Sequence, residues 1–501
     1  MSGITNLGKP FSEVTDRSKD AVIDLADPGS PVVLSYSDLD RESTKYGNYL
    51  SSLGLAPAAP LAIVGLNSRA YLAAYLGILR AGFVAVPINV KLPSGGVEFV
   101  FNDACIRHAL VEPRYTHLVP DGVPQTGLWS SQIRESSSHR EFEECDPTPD
   151  RAAEILYTSG STGRPKGVVL SHQSQIVMLG SAAKTGRKPP FQNRRGIIAA
   201  PLFHMNALFF GAALLAHGGT IVMLPRFETE AFIKAIQEYQ VQLVTGVPTM
   251  IAMMYQNLES CGRQQFRSVE SVYIGSSPVT QAIIEQAHEL FPDAEVINSY
   301  GTTETGGGLF GAHPLGLQRP EISVGHPLPH TEMQLLGNED PKQGVLEVKT
   351  STMMSGYLNL PETTAQKVRD GWINTGDIFR RDENNFYYYV GRFDDMFVCN
   401  GENIFPGELE SLIERVDCIV QACIIPVEDH RRGNIPVAFV VTDESRPILE
   451  QDIKDFVLAN APANLHPRHV IFIRALPLAA TNKVDREKLA GIAKQKVQAS
   501  A

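Results

Sequence analysis

Apolar positions recur along this chain with two periods that take turns, and the alternation predicts helices followed by strands. Residues 71–82 (YLAAYLGILRAG) carry helical spacing and stop at a glycine; residues 83–88 (FVAVPI) follow as a strand. Residues 230–240 (EAFIKAIQEYQ) are amphipathic and lead into a strand over 241–247. A strand over 271–274 precedes Ser277-Pro278, which suit the N-cap and first position of a helix over 279–290. A further strand covers 295–300. Repeated αβ units predict an α/β fold: a largely parallel sheet covered by helices, in a large N-terminal domain. Ligands of such sheets gather beyond the carboxyl ends of the strands. The turn Gly275-Ser276-Ser277 and the loop 301–308 both fall there.

Two stretches break this rhythm. Residues 134–149 (RESSSHREFEECDPTP) are polar and end in proline, as an exposed connection would. Residues 391–395 (GRFDD) close an aromatic run. Beyond them the pattern predicts a helix over 408–415, strands over 419–427 and 437–441, a helix over 452–460 and a strand over 470–473. About a hundred residues suffice for an independent domain. We therefore expect a large domain over 1–393 and a small α+β domain over 394–501.

The most chemically loaded segment lies between two strand-like runs, 153–156 and 168–170. It reads YTSGSTGRPKG over 157–167. Gly160, Gly163 and Gly167 allow backbone N–H groups to approach phosphate oxygens closely. Thr158, Ser159, Ser161 and Thr162 add hydroxyls, and Lys166 adds a point charge. The Walker A spacing is absent, and a strand follows the lysine where a helix would be needed. Such a loop grips phosphate by wrapping it, without a helix dipole.

Composition narrows the partners. The 501 residues are 43% hydrophobic and 20% charged, the profile of a globular enzyme. A net charge of −11 argues against nucleic acid and anionic membranes. Six cysteines without a C-x-x-C pair give neither a disulfide framework nor a zinc signature, and no H-E-x-x-H appears. The start lacks a signal-peptide pattern, and the apolar stretch 207–216 is too short to cross a bilayer. A cytoplasmic location and no transmembrane segment are the expectations; the oligomeric state has no signature.

Six motifs occur in order: YTSGSTGRPKG, NSYGTTE at 298–304, NTGD at 374–377, GRFDD at 391–395, GENIFPGELE at 401–410 and TNKVDR at 481–486. Together they resemble the adenylate-forming superfamily of acyl-CoA synthetases, peptide-synthetase adenylation domains and firefly luciferase. The resemblance implies a carboxylate activated by ATP as an acyl-adenylate, with release of pyrophosphate, and a thiol that then displaces AMP. It implies ATP, Mg2+ and coenzyme A as the small molecules used.

It also implies roles. Glu304 resembles the carboxylate that organises magnesium, and Thr303 the hydroxyl at the α-phosphate. Ser299, Tyr300, Gly301 and Thr302 share that motif, with Tyr300 and the turn Gly275, Ser276, Ser277 as the walls of an adenine slot. Asp377 and Arg392 match ribose contacts. Lys483 matches a lid lysine bridging the carboxylate and α-phosphate, and Asp394 a hinge. His204, in PLFHMNAL, matches a gate near the reacting carboxylate. Met205, Asn206, Val247, Gly301 and Gly306 would border the acyl pocket. Asn482 stands where the family has glycine before the lysine, a residue that tolerates left-handed backbone angles. The resemblance would also make Lys483 a target for a lysine acetyltransferase.

The form G-E-N-I-x-P-x-E resembles acyl- and aryl-CoA ligases, including 4-chlorobenzoate CoA ligase, and places Gly401, Glu402 and Asn403 at the CoA channel. No carrier domain follows Lys483, which favours CoA as acceptor. A stand-alone enzyme loading a carrier protein is the alternative, and a silent nucleotide-binding regulator a third; the presence of Lys483 and Glu304 weighs against the last. The acyl-pocket segments hold no lysine or arginine, so a second buried carboxylate would lack a partner. A medium aliphatic, alicyclic or aromatic monocarboxylate is expected.

Overall fold

The computed structural model describes residues 3–27, 29–137, 139, 142–158, 164–182, 191–260, 265–337, 340–399, 402–429, 433–443, 447–462, 465–479 and 483–500. Two seven-stranded sheets dominate it. In the first, Glu295–Ser299, Ser271–Gly275, Leu243–Gly246, Arg195–Ile198, Thr220–Met223 and Asp20–Asp24 run parallel, and Val32–Ser35 closes one edge antiparallel. In the second, Val84–Ile88, Pro60–Val64, His108–Val111 and Gln125–Gly127 run parallel beside the hairpin of Ala152–Thr158 and Lys166–Ser171. The central strands Val84–Ile88, His108–Val111 and Thr220–Met223 are short and buried along their length, as in sheets covered on both faces.

The helix Arg69–Arg80 is buried almost all round, which explains its unbroken apolar run. It starts two residues before the predicted position because Ser68 caps it, accepting from the Tyr71 N–H at 3.2 Å. Its last residue, Arg80, is 2% exposed and is neutralised by Asp40 and Glu144, each at 2.9 Å. Glu144 belongs to the connection expected to be merely exposed. That connection is strapped down: Asn48 also donates to the carbonyls of Ser137 and His139. The helix Gln281–Leu290 is capped by Thr280, not by Ser277-Pro278. Ser276 takes a left-handed φ of 63°, so the chain turns once more before the helix can begin.

One sheet was not predicted. Thr331–Leu336, Gln343–Thr350, Trp372–Arg381, Val368–Arg369 and Tyr387–Arg392 form a five-stranded antiparallel unit. Its register sets Asp377 opposite Arg392, bringing two separate motifs together. The ladder's last tie is the Phe393 N–H to the Gly376 carbonyl at 2.8 Å. The chain then enters another five-stranded sheet, in which Gly433–Thr442 pairs with Ile419–Asp429, Phe397–Cys399 and the parallel strand His469–Phe472. Its helices are Pro406–Ile413, Glu450–Asn460 and Arg486–Ser500. This smaller α+β domain packs on the large one: Val420, Cys423 and Phe439 share an apolar core with Ile283, Ile284 and Ala287.

Candidate active site

The carboxyl ends of the first sheet, the hairpin of Ala152–Thr158 and Lys166–Ser171, and the small domain enclose a cleft of about 1830 Å3. In the hairpin, Thr158 pairs with Lys166 across the strands. The Lys166 ammonium lies 5.6 Å from the centroid of the Tyr357 ring. The Tyr357 hydroxyl in turn donates to Glu304 Oε1 at 2.8 Å. Glu304 sits in the loop after Glu295–Ser299. Thr302 and Thr305 brace that loop, each hydroxyl accepting the other's N–H. Among the described residues Glu304 Oε2 accepts no hydrogen bond, and no cluster of three potential metal ligands occurs. One available carboxylate oxygen suits Mg2+, which keeps waters and is completed by substrate phosphates.

Asp377 is 7% exposed. Its Oδ2 accepts from the Tyr300 hydroxyl at 2.5 Å, and Arg392 Nε lies 3.4 Å from Oδ1. Burial pushes this carboxyl up, while Tyr300, Arg392 and Lys367 oppose the rise. A carboxylate has four lone-pair sites, so this one can still accept a pair of sugar hydroxyls. The Tyr300 ring is held edge-on to Phe379, 4.7 Å between centroids.

His204 stands at the N-cap of the helix Met205–Ala216, its ring 4.5 Å from that of Phe203. Its Nε2 is buried without a partner among the described residues, an unmet polar atom beside the cleft. Burial, then the positive charges of Lys483 and Lys91, push its pKa down to about 4. Lys483 therefore reaches into the cleft from the small domain. Burial and Arg392 lower its own pKa while Asp377 opposes. Lys483 is exposed by area although it lines the cleft. Also lining the cleft, Phe191 lies stacked on Tyr273 at 5.9 Å and edge-on to Phe210 at 5.5 Å, an aromatic floor. Thr245 donates to Asn206 Oδ1 at 3.2 Å on the adjoining wall.

A family model of AMP-binding enzymes matches residues 12–358, and one of the AMP-binding enzyme C-terminal domain matches 408–483. The chain belongs to the AMP-binding enzymes. It is 30% identical to a fatty acid–acyl-carrier-protein ligase of Streptomyces coeruleorubidus, over 92% of this chain and 93% of that one. It is 25% identical to 4-coumarate–CoA ligase 2 of Nicotiana tabacum, over 91% and 89%. ATP-bound MatB of Rhodopseudomonas palustris superposes with a TM-score of 0.85 at 26% identity, covering 98% of this chain and 99% of that one. This AMP-binding enzyme falls in the acyl- and aryl-CoA ligase branch of the adenylate-forming superfamily. It is an AMP-forming acid–thiol ligase.

Within this AMP-binding enzyme one cleft is lined by Thr158, Lys166, His204, Met205, Asn206, Val247, Ser276, Ser277, Ser299, Tyr300, Gly301, Thr302, Thr303, Glu304, Asp377, Arg392, Asp394 and Lys483. Ser159, Gly160, Ser161, Thr162, Gly163 and Gly401 lie outside the described residues. Gly275 stands behind the wall, where a Cβ would meet the Ser299 carbonyl at 2.5 Å. Gly306 does not line the cleft: at φ 75° it packs on the Thr352 carbonyl, and Gly307 and Gly308 line it in its place. Glu402 and Asn403 lie on the strand Glu402–Ile404, away from the cleft lining. The Tyr300 hydroxyl holds Asp377, a contact the expected wall position did not include. Sequence reasoning missed Tyr357, Lys367 and the aromatic floor. Gly356-Tyr357 pairs with Val168-Val169 in the phosphate hairpin's sheet, a contact across almost two hundred residues that no local pattern announces.

Proposed function

We propose that this enzyme joins a medium aliphatic, alicyclic or aromatic monocarboxylic acid to coenzyme A through an acyl-adenylate. A carboxylate oxygen of the acid attacks the α-phosphorus, the bond to the β-phosphate breaks, and pyrophosphate leaves. The thiol sulfur then attacks the acyl carbon, AMP departs, and the thiol proton goes to water. Lys166 and the hydroxyls beside it would hold the phosphate chain, with Thr303 at the α-phosphate. Glu304, steadied by Tyr357, would hold Mg2+, which supplies charge neutralisation of the phosphates. Asp377 and Arg392 would take the ribose, and Lys483 would oppose charge developing between acid and α-phosphate. His204, neutral at pH 7, can donate or accept one hydrogen bond toward the acid without adding charge.

The observation that carries this reading is the convergence of Lys166, Glu304, Asp377 and Lys483 in one cleft from four distant motifs. The division near residue 394 belongs to it: Asp394 would be the hinge about which 394–501 turns to bring Gly401, Glu402 and Asn403 to the cleft. The acid is read from Phe191, Phe210, Tyr273, Met205 and Val247, walls without lysine or arginine. Incubation with ATP, CoA and a panel of monocarboxylic acids should yield AMP and pyrophosphate in equal amounts. Stoichiometric ADP and phosphate would refute it.

A second reading has its own support. The 30% identical relative from Streptomyces coeruleorubidus is named for an acyl carrier protein as acceptor. AMP release driven by a phosphopantetheine-bearing carrier protein and not by CoA would favour that acceptor.

A further inference from the structure

Three lysines line the cleft among the described residues: Lys166, Lys367 and Lys483. Lys166 rests on the Tyr357 ring. Lys367 ends the helix Pro361–Lys367 and donates to the Thr375 carbonyl at 3.0 Å. Among the described residues neither Lys367 nor Lys483 has an ion-pair or ring partner. An ammonium carries three donors, so one carbonyl leaves Lys367 with two to place. Glu304, Asp377 and Asp394 lie near enough to attract it and Arg392 near enough to repel it, yet burial outweighs the attraction and its pKa falls. A half-buried cation tied to one neutral oxygen is stabilised most by an anion entering beside it.

We propose that Lys367 is a nucleotide-binding residue that contacts a phosphate oxygen, reaching the cleft from the large domain as Lys483 does from the small one. Both ammonium groups feel Asp377, one from the large domain and one from the small domain. Lys367 sits on the same body as Glu304 and Asp377. It therefore keeps its place when the small domain moves, and Lys483 does not. If it holds the α-phosphate its grip would span both half-reactions, and if it holds the departing phosphates only the first.

This inference rests on the ATP-dependent reading. Pyrophosphate release by the wild-type enzyme tests that reading alone, so the two can fail separately. Lys367→Gln keeps an N–H for the Thr375 carbonyl and removes the charge, whereas Lys367→Arg keeps the charge. We expect Lys367→Gln to weaken ATP binding about ten- to a hundredfold, the scale of a charged hydrogen bond. Lys367→Arg should recover most of the loss. A matching loss for AMP assigns the α-phosphate, and a loss for ATP alone assigns the departing phosphates. ATP affinity of Lys367→Gln equal to wild type would reduce Lys367 to a tie for the Thr375 strand and overturn the proposal. A variant-free test uses the native enzyme: ATP should shield the Lys367 amine from reductive methylation and adenosine should not. Equal labelling with both would also overturn it.

Discussion

The Tyr357 hydroxyl and Glu304 Oε1 lie 2.8 Å apart, joined by a hydrogen bond that fixes which carboxylate oxygen faces the cleft. The phenol keeps its proton, because burial and the nearby carboxylate both push its pKa up. It is therefore a permanent donor, and the same ring supports Lys166. One side chain thus couples the phosphate hairpin to the carboxylate proposed for magnesium.

Tyr357→Phe keeps the ring under Lys166 and frees Glu304 Oε1. A hydrogen bond to a charged acceptor contributes about 1.5–3 kcal/mol, so adenylation should slow at least about tenfold. The Mg2+ concentration for half-maximal rate should rise. Pyrophosphate release titrated against Mg2+ checks this; an unchanged requirement would separate Tyr357 from the metal.

Lys483→Ala should lose the first half-reaction by roughly 10²–10³ in rate, the scale for one preorganised charge at a developing anion. Thioester formation from synthetic acyl-adenylate should be largely spared, because the lysine lines the cleft while Glu402–Ile404 does not. Equal losses in both steps would contradict the division of labour.

Asp394 is the first residue beyond the backbone tie between Phe393 and Gly376, and among the described residues its N–H has no protein acceptor. Proline there removes no hydrogen bond but locks φ near −65°. We expect Asp394→Pro to keep pyrophosphate release while CoA-dependent turnover collapses. Wild-type rates for both steps would place the hinge elsewhere.

Glu154 is 1% exposed and accepts from the Tyr75 hydroxyl at 2.9 Å; burial pushes its carboxyl up to about 7. The folded chain holds this proton more tightly than the unfolded chain, where the carboxyl titrates at its ordinary value. Stability tied to it is full at pH 4 and declines as pH rises through about 7. Glu154→Gln removes that decline. The variant should match wild type near pH 4 and gain roughly 2–3 kcal/mol at pH 8, read from urea melts at both pH values. A gain independent of pH would mean packing and not ionisation is responsible.

Much of the site was legible because its pieces are short and local. The hairpin around YTSGSTGRPKG is written in β-branched runs flanking glycines, and the strands proved to be Ala152–Thr158 and Lys166–Ser171. The small domain followed from periodicity: helix 408–415 became Pro406–Ile413 and strand 470–473 became His469–Phe472. Errors gathered at element ends, as at Thr280, where a left-handed Ser276 decides how far the chain must turn.

By itself the sequence determined which chemistry-bearing residues exist and which elements carry them, since propensity, capping and period depend on neighbours a few positions away. Only the tertiary structure decided their pairings. Asp377 meets Arg392 through cross-strand register, and Glu304 meets Tyr357 across 53 positions. Arg486 of TNKVDR meets Glu410 of GENIFPGELE across 76. Register and docking are set by burial of whole faces, a long-range sum that no single motif contains. For the same reason Lys367, unremarkable in PETTAQKV, comes within electrostatic reach of Glu304 and Asp377 only in the folded chain.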